Sequence, residues 1–266
     1  MTQKDSFFTI GSSHKVCQDY ALSGEKEGAT YALVGDGCSS SPNTDVGVRI
    51  LLHLTEQGIG GFGLSDVFMG LFESSREIVS NMGLPVECLD STLLSARYTG
   101  EGQVQVEALG DGFIAARRRS GGFDLWKIYF SNNCPNYLRY LYEFPDTLHN
   151  LERTVVFWVE GESEKVSHEK LSQESYIYRL SLDPKKYDLI CLLSDGAASF
   201  QEKKSRETSI AFEALRVEKV IEQVLSVKGA QGEFLVRRCN AFLRKWCQKK
   251  NWSHTDDFST SALFLE

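Results

Sequence analysis

The chain has 266 residues, 42% of them hydrophobic and 11% aromatic, enough to bury one large core or two small ones. Its 29 basic and 36 acidic residues leave a net charge of −7, and no apolar run reaches the ~20 residues that span a bilayer, so neither nucleic acid nor a membrane is an expected partner. The opening Met1-Thr2-Gln3-Lys4-Asp5 lacks the apolar segment of a signal peptide, and the seven dispersed cysteines, with no C-x-x-C pair, read as reduced thiols, which makes the cytoplasm the expected compartment.

In chain order, apolar and β-branched runs at 7–10 and 30–35 predict the first strands. Two helices follow. The first covers 45–57, with Val46, Ile50, Leu51 and Leu54 at helical spacing, and the second 65–81, where Ser65 can cap and Val67, Phe68, Leu71, Phe72 and Ile78 form a stripe. Strands are then predicted at 91–98, 103–109, 113–118, 123–130, 154–159, 176–182 and 189–193. The turn-sized gaps Thr99-Gly100-Glu101-Gly102 and Ser120-Gly121-Gly122 favour antiparallel hairpins over parallel strands with helical crossovers.

A second helix pair is predicted at 210–227 and 232–249, before a last strand at 261–265. Along the final helix, Leu235, Cys239, Phe242, Leu243 and Trp246 share one side, and Arg237, Arg238, Arg244, Lys245 and Lys249 occupy much of the rest. In so acidic a chain that basic side reads as a solvated outer face. No linker, repeat or low-complexity block divides the sequence, so a single domain over residues 1–266 is expected. Strands in the middle with helix pairs before and after them predict a layered α+β sandwich, helices outside.

Several of these strands end or begin at acidic turns. Tyr31-Ala32-Leu33-Val34-Gly35 runs into Asp36-Gly37, and Leu189-Ile190-Cys191-Leu192-Leu193-Ser194 runs into Asp195-Gly196. The run at 103–109 is likewise closed by Asp111-Gly112, and Asp256-Asp257 precedes the last strand. One strand ending in Asp-Gly is usually a plain turn, but four acidic turns at strand ends assemble hard oxygen donors of the kind that suit Mg²⁺ or Mn²⁺.

The order of motifs resembles the metal-dependent protein phosphatase 2C (PPM-type) family, in particular a bacterial branch of it. The pieces are Gly11-Ser12-Ser13-His14-Lys15-Val16-Cys17-Gln18-Asp19, Val34-Gly35-Asp36-Gly37, Ser91-Thr92-Leu93-Leu94, Gly110-Asp111-Gly112, Ser194-Asp195-Gly196 and Thr255-Asp256-Asp257-Phe258-Ser259. The resemblance implies a four-layer αββα sandwich, two antiparallel β-sheets flanked by helices, with two central divalent ions at one edge. On it, Asp36 matches the carboxylate that bridges both ions, and Gly37 contributes a carbonyl ligand to the second. Asp195 and Asp256 match the remaining carboxylates of the first ion, and Asp111 matches the Asp that in bacterial members helps hold a third, weaker one. Asp257 is expected to cap the backbone before the final strand.

The first motif departs from the family pattern. His14 stands where many members carry the Arg that grips the substrate phosphate, and Gln18 stands where they carry a metal-binding Glu; Asp19 is kept. A neutral amide supplies less charge, so the second ion should bind more weakly, and histidine holds phosphate only as a point donor. His14 and Asp19 are the expected catalytic side chains, with Asp19 also among the metal-site residues. Cys17 and Cys38 are expected bystanders, and His254 reads as a surface-loop histidine in preference to a general acid. The stretch 130–144, with Asn132, Asn133, Asn136 and several rings, resembles in position the family's mobile flap; Tyr137, Tyr140 and Leu141 equally fit a core helix.

The function implied is serine/threonine phosphoprotein phosphatase activity through a binuclear Mg²⁺ or Mn²⁺ centre. Ions about 3.5 to 4 Å apart acidify a shared water and neutralise the transferring phosphoryl group. The implied partners are a phosphorylated protein and a cognate serine/threonine kinase, and the chain is expected to be a monomer. Two alternatives stand beside it: a catalytically weak or silent member of the fold that binds a phosphoprotein, and a calcium-stabilised binding module whose carboxylates serve only folding.

Overall fold

The computed structural model describes residues 2–59, 64–131, 134–205 and 210–266. Three antiparallel sheets form. The largest holds, in spatial order, β1 (Gln3–Thr9), β15 (Phe258–Phe264), β11 (Tyr187–Leu193), β6 (Gly112–Arg118), β7 (Phe123–Phe130), β8 (Glu152–Val159) and β9 (Lys165–Lys170). The second holds β10 (Tyr178–Leu182), β5 (Val104–Leu109), β4 (Leu93–Tyr98), β3 (Ala29–Asp36) and β2 (Asp19–Lys26). A small third sheet joins β13 (Ile210–Ala214), β12 (Phe200–Ser205) and β14 (Trp252–His254).

Alternation along the central strands fixes the layers. In β11, Ile190 and Leu192 enter one hydrophobic cluster together with Leu33 and Leu94 of the other sheet. Leu189, Cys191 and Leu193 enter another, with Val220, Ile221 and Val224 of α4 (Val217–Leu225) and Leu235 and Cys239 of α5 (Phe234–Ala241). β6 divides in the same way, Ile114 and Ala116 inward, Phe113 and Ala115 toward those helices. On the opposite side, Val48, Leu51 and Leu52 of α1 (Thr44–Gly58) and Phe72 of α2 (Leu64–Asn81) cover the second sheet. Every residue of β3 before Asp36 is buried, as a strand between a sheet and a helix layer must be. Each fully buried Leu, Ile or Phe here contributes about 1.5–3 kcal/mol. The architecture is the expected αββα sandwich, and both predicted hairpins, β4–β5 and β6–β7, are present.

Sequence and structure part company in three places. Residues 210–227 do not make one helix: 210–214 form β13, paired with β12, and the helix begins at Val217. The apolar stripe that signalled a helix, Val217, Val220, Ile221 and Val224, starts only there, whereas Phe212, Glu213 and Ala214 are exposed and take their order from pairing with β12. Strands β2, β9 and β12 to β14 carry little apolar alternation; β9, Lys-Val-Ser-His-Glu-Lys, is exposed throughout, a charged edge strand. The last helix runs on from α5 through a π-helical stretch, Phe242–Cys247, which places Phe242 and Cys247 both in the core. The expected cap at Ser65 and the stripe residues Val67 and Phe68 lie outside the described side chains, as Asn132 and Asn133 lie outside the described residues.

Candidate active site at one edge of the sandwich

Strand register brings the acidic turns together. In the second sheet Asp19, the first residue of β2, pairs with Asp36, the last of β3. In the first sheet Leu193 at the end of β11 pairs with Phe113 near the start of β6 and with Thr260 near the start of β15. Asp195 therefore leaves the sheet beside the point where Asp111 and Asp256-Asp257 enter it. One hydrogen bond ties the two sheets at this edge: Ser194 Oγ donates to Asp19 Oδ2 at 2.6 Å and accepts from Ser259 N at 3.1 Å. Thr92 Oγ1 accepts from Asp36 N at 3.0 Å, and Gly37 N donates to the Gln18 carbonyl at 3.0 Å.

The first-motif loop is clasped to the last motif. Asp257, buried, accepts from Gly11 N at 2.7 Å and Gln18 N at 2.6 Å. Its role is thus wider than a local cap, since its partners lie at the other end of the chain. Two glycines make this clasp sterically possible. A Cβ on Gly11 would sit 2.2 Å from the Asp256 carbonyl carbon, and one on Gly196 would sit 1.6 Å from the Asp257 carbonyl oxygen. Both are places where backbone crosses backbone.

Within the clasp, His14 Nε2 lies 3.2 Å from Asp256 Oδ1, and Nδ1 lies 3.0 Å from Asp257 Oδ2. Burial alone would lower its pKa, but the contact with Asp257 and the charges of Asp257, Asp256 and Asp19 raise it overall. Both nitrogens of the expected phosphate-gripping residue stand at ion-pair distance from carboxylates, and Nδ1 is buried without a hydrogen bond. Gln18, at the expected metal position, donates from Nε2 to Thr44 Oγ1 at 2.6 Å, at the start of α1.

The carboxylates repel one another in a dry place. Burial, with the charge of Asp195 adding to it, raises Asp19 to about 7 against the bond from Ser194. Burial and then Asp195 raise Asp111 to about 7 as well. Asp36, flanked by Asp19 and Asp195, is pushed up by burial and by both neighbours, and Asp256 by burial and Asp195. Asp195 Oδ1 is buried with no hydrogen-bond partner. Among the described residues, no three His, Cys, Asp or Glu side chains are closed around a common point as formed metal ligands are. The donor chemistry nonetheless fits a divalent cation: hard oxygens, excess negative charge, and an orphaned buried carboxylate atom.

Around this edge the other expected residues take ordinary roles. Burial pushes the Cys17 thiol up to about 12; burial also raises Cys38, but hydroxyls of Ser40, Tyr137 and Ser41 outweigh it and hold the thiol below its usual value. His254 is not in a surface loop: it lies on β14, its ring stacked on Phe200 at 5.0 Å and Nδ1 2.8 Å from the Asp256 carbonyl oxygen. In the described part of 130–144, residues 135–139 pack inward, Tyr137 and Leu138 among them, and a short helix follows, α3 (Leu138–Glu143), with Phe144 after it exposed.

Two supporting residues escape sequence reasoning. Asn136, fully buried, accepts from Gly110 N at 2.9 Å and donates to the Tyr176 carbonyl at 2.7 Å, fixing the turn before Asp111. Arg139 donates from Nε and Nη2 to the two oxygens of buried Asp90, each at 2.8 Å. Asp90 in turn accepts from Ser41 Oγ and, through its carbonyl, from Cys38 N, which steadies the loop after Asp36. Neither has a local sequence signal, because each is defined by partners far along the chain.

The fold is one shared by a family of phosphatases. The family profile described as protein phosphatase 2C matches residues 11–228, and the chain belongs to that family. Asp256 and Asp257 lie beyond the matched span, so their place at the edge rests on geometry. No curated protein is similar enough in sequence to match. Solved structures share the fold at low identity. The serine/threonine phosphatase of S. agalactiae aligns with a TM-score of 0.55 and 12% identity over 100% of both chains. PppA, a regulatory component of T6SS in Pseudomonas aeruginosa, gives 0.52 and 12% over 100% of this chain and 98% of that one. A structure of the PP2C phosphatase domain with a fragment of the regulatory domain of the cell fate determinant SpoIIE from Bacillus subtilis gives 0.52 and 11% over 100% of this chain and 64% of that one. Among the described residues no helix is long and apolar enough to cross a membrane.

Proposed function

We propose that the chain is a Mg²⁺- or Mn²⁺-dependent phosphatase that hydrolyses phosphoserine and phosphothreonine monoesters on protein substrates. The observation that carries this reading is the convergence of Asp19, Asp36, Asp111, Asp195 and Asp256 on one edge, with Asp195 Oδ1 buried and unpartnered. On this reading Asp36, Asp195, Asp256 and the Gly37 carbonyl would hold the two ions, and Asp111 would hold a third, weaker one. When bound, such ions acidify water and neutralise charge that builds on the phosphoryl oxygens.

The chain's own residues hold that edge in shape. Ser194 orients Asp19, Asp257 fixes the 11–18 loop, and His14 steadies Asp256. On this reading the partners are a phosphorylated protein and the serine/threonine kinase that supplies it, and the chain acts as a cytoplasmic monomer.

A second reading, a catalytically weak or silent phosphoprotein binder, is favoured by one observation: the first motif offers a neutral Gln18 and a His14 already engaged by two carboxylates. Titrating Mg²⁺ and Mn²⁺ against a phosphothreonine peptide and an aryl phosphate separates the two. Activity that rises with metal and falls roughly 10²-fold or more in Asp36→Ala and Asp195→Ala is the expected result, each change removing several kcal/mol of charge stabilisation. Peptide binding without turnover at any metal concentration selects the silent reading.

A further inference from the structure

At the end of β6 opposite Asp111 there is a cavity of about 640 Å³, walled by the β6–β7 turn, the end of β8 and α4. The strand between them rises ~3.3 Å per residue, which puts this cavity roughly 20 Å from the acidic edge. Its volume is within the few-hundred-to-thousand Å³ range typical of small-molecule sites.

Its lining is cationic in an acidic chain. Arg117, Arg118, Arg119, Arg216 and Lys219 face it against three glutamates, although the whole chain carries −7. These cations are not equally occupied. Arg117 is saturated by Asp188 at 2.8 and 2.9 Å and by the Leu225 and Val227 carbonyls, and serves as floor. Among the described residues Arg118 pairs with Asp124 alone, 3.6 Å from its Nε, and that nitrogen is buried without a hydrogen bond. Among the described residues Arg216, whose side chain is 69% exposed, has one side-chain contact, to Glu218 at 3.3 Å, and no carboxylate pairs with Lys219. One wall is aromatic: the rings of Trp158 and Phe123 lie 5.1 Å apart at 40°. The turn that closes the mouth is Gly121-Gly122, where φ of +98° and +72° takes the chain back over Arg118.

We propose that this cavity binds a mononucleotide-class ligand, its planar base against Trp158 and Phe123 and its phosphates met by Arg118, Arg216 and Lys219. Guanidinium forks and an ammonium recognise phosphate, and an aromatic wall accepts any base by its face. The proposal does not rest on the phosphatase reading, because the site lies at the far end of the sandwich and its ligand is held by cations, not by metal.

The test is a titration of the full-length, metal-free chain in EDTA with ADP, followed by tryptophan fluorescence and calorimetry. Saturable one-site binding is expected, unchanged in Asp36→Asn. The double variant Arg216→Ala/Lys219→Ala should weaken it roughly three- to tenfold, and Glu222→Gln should tighten it, as the loss of two attractive charges and of one repulsive charge near the surface requires. Trp158→Phe should remove the fluorescence change while keeping an aromatic wall. Absence of saturation by ADP at millimolar concentration overturns the proposal, as does binding that Asp36→Asn abolishes or that the charge variants leave untouched. Pyrophosphate binding as tightly as ADP would likewise overturn it, by showing that the aromatic wall takes no part.

Discussion

Replacing Asp257 by Ala tests whether one buried carboxylate holds the first motif to the last. The side chain is 1% exposed, accepts two backbone N–H bonds at 2.7 and 2.6 Å, and stands 3.0 Å from His14 Nδ1. A hydrogen bond to a charged acceptor contributes about 1.5–3 kcal/mol, and breaking a buried charged pair by removing one partner costs about 3–5 kcal/mol. Two such bonds, less the cost of keeping the carboxylate dry, put Asp257→Ala at about 3–5 kcal/mol. Asp257→Asn keeps one acceptor and loses the charge, so about half of that is expected. Urea unfolding of the metal-free chain should rank wild type above Asp257→Asn above Asp257→Ala, and the Gly11 and Gln18 amides should lose their protection from hydrogen exchange. If Asp257→Ala unfolds within about 1 kcal/mol of wild type, or if those two amides stay protected, the clasp is not what orders the loop.

Gly196→Ala, with its Cβ 1.6 Å from the Asp257 carbonyl oxygen, should cost at least about 1–3 kcal/mol and weaken Mn²⁺ binding by calorimetry, because the Asp195 turn must move away from Asp256. In the metal-free chain Asp19 and Asp111 titrate near 7 through burial, above the ~3.9 of an unfolded Asp, so the stability they confer is complete below about pH 4 and lost as pH rises through about 7. The melting temperature in EDTA should therefore fall between pH 5 and 8, and Mn²⁺ should restore more of it at pH 8 than at pH 5. Arg139→Ala leaves buried Asp90 uncompensated and should cost about 3–5 kcal/mol in urea unfolding; Arg139→Lys should recover only part, since one ammonium replaces a two-pronged fork.

What could be read from the sequence follows from what each element depends on. Strands such as β3 and β11 declare themselves because burial on both faces demands unbroken apolar runs, and all ten predicted strands are present. β9 and the β12–β13 hairpin do not, because an exposed strand owes its form to its neighbour: Ile210-Ala211-Phe212-Glu213-Ala214 suits a helix until β12 lies beside it. The acidic turns were legible as strand-end carboxylates. The partners that fix them were not, since Asn136 meets Gly110 across 26 residues and Asp257 meets Gly11 across 246.

The three Asp-Gly pairs look alike in sequence, yet their glycines answer different demands. Gly37 leaves room for Thr44, whose Cβ is 2.7 Å from where a Cβ would stand, and Gly196 for the backbone of Asp257. Gly112 adopts φ +137°, beside the Leu193 carbonyl. The common cause is crowding: each carboxylate stands where another segment crosses its strand end, which is why only glycine fits after it. The crossings at Asp36 and Asp111 also exclude water, and burial is the first cause that raises both, with neighbouring carboxylate charge adding to it. At Asp36 and Asp111 the following glycine and the raised carboxylate are thus two consequences of one packing problem, and a substitution that loosens either crossing should relax both.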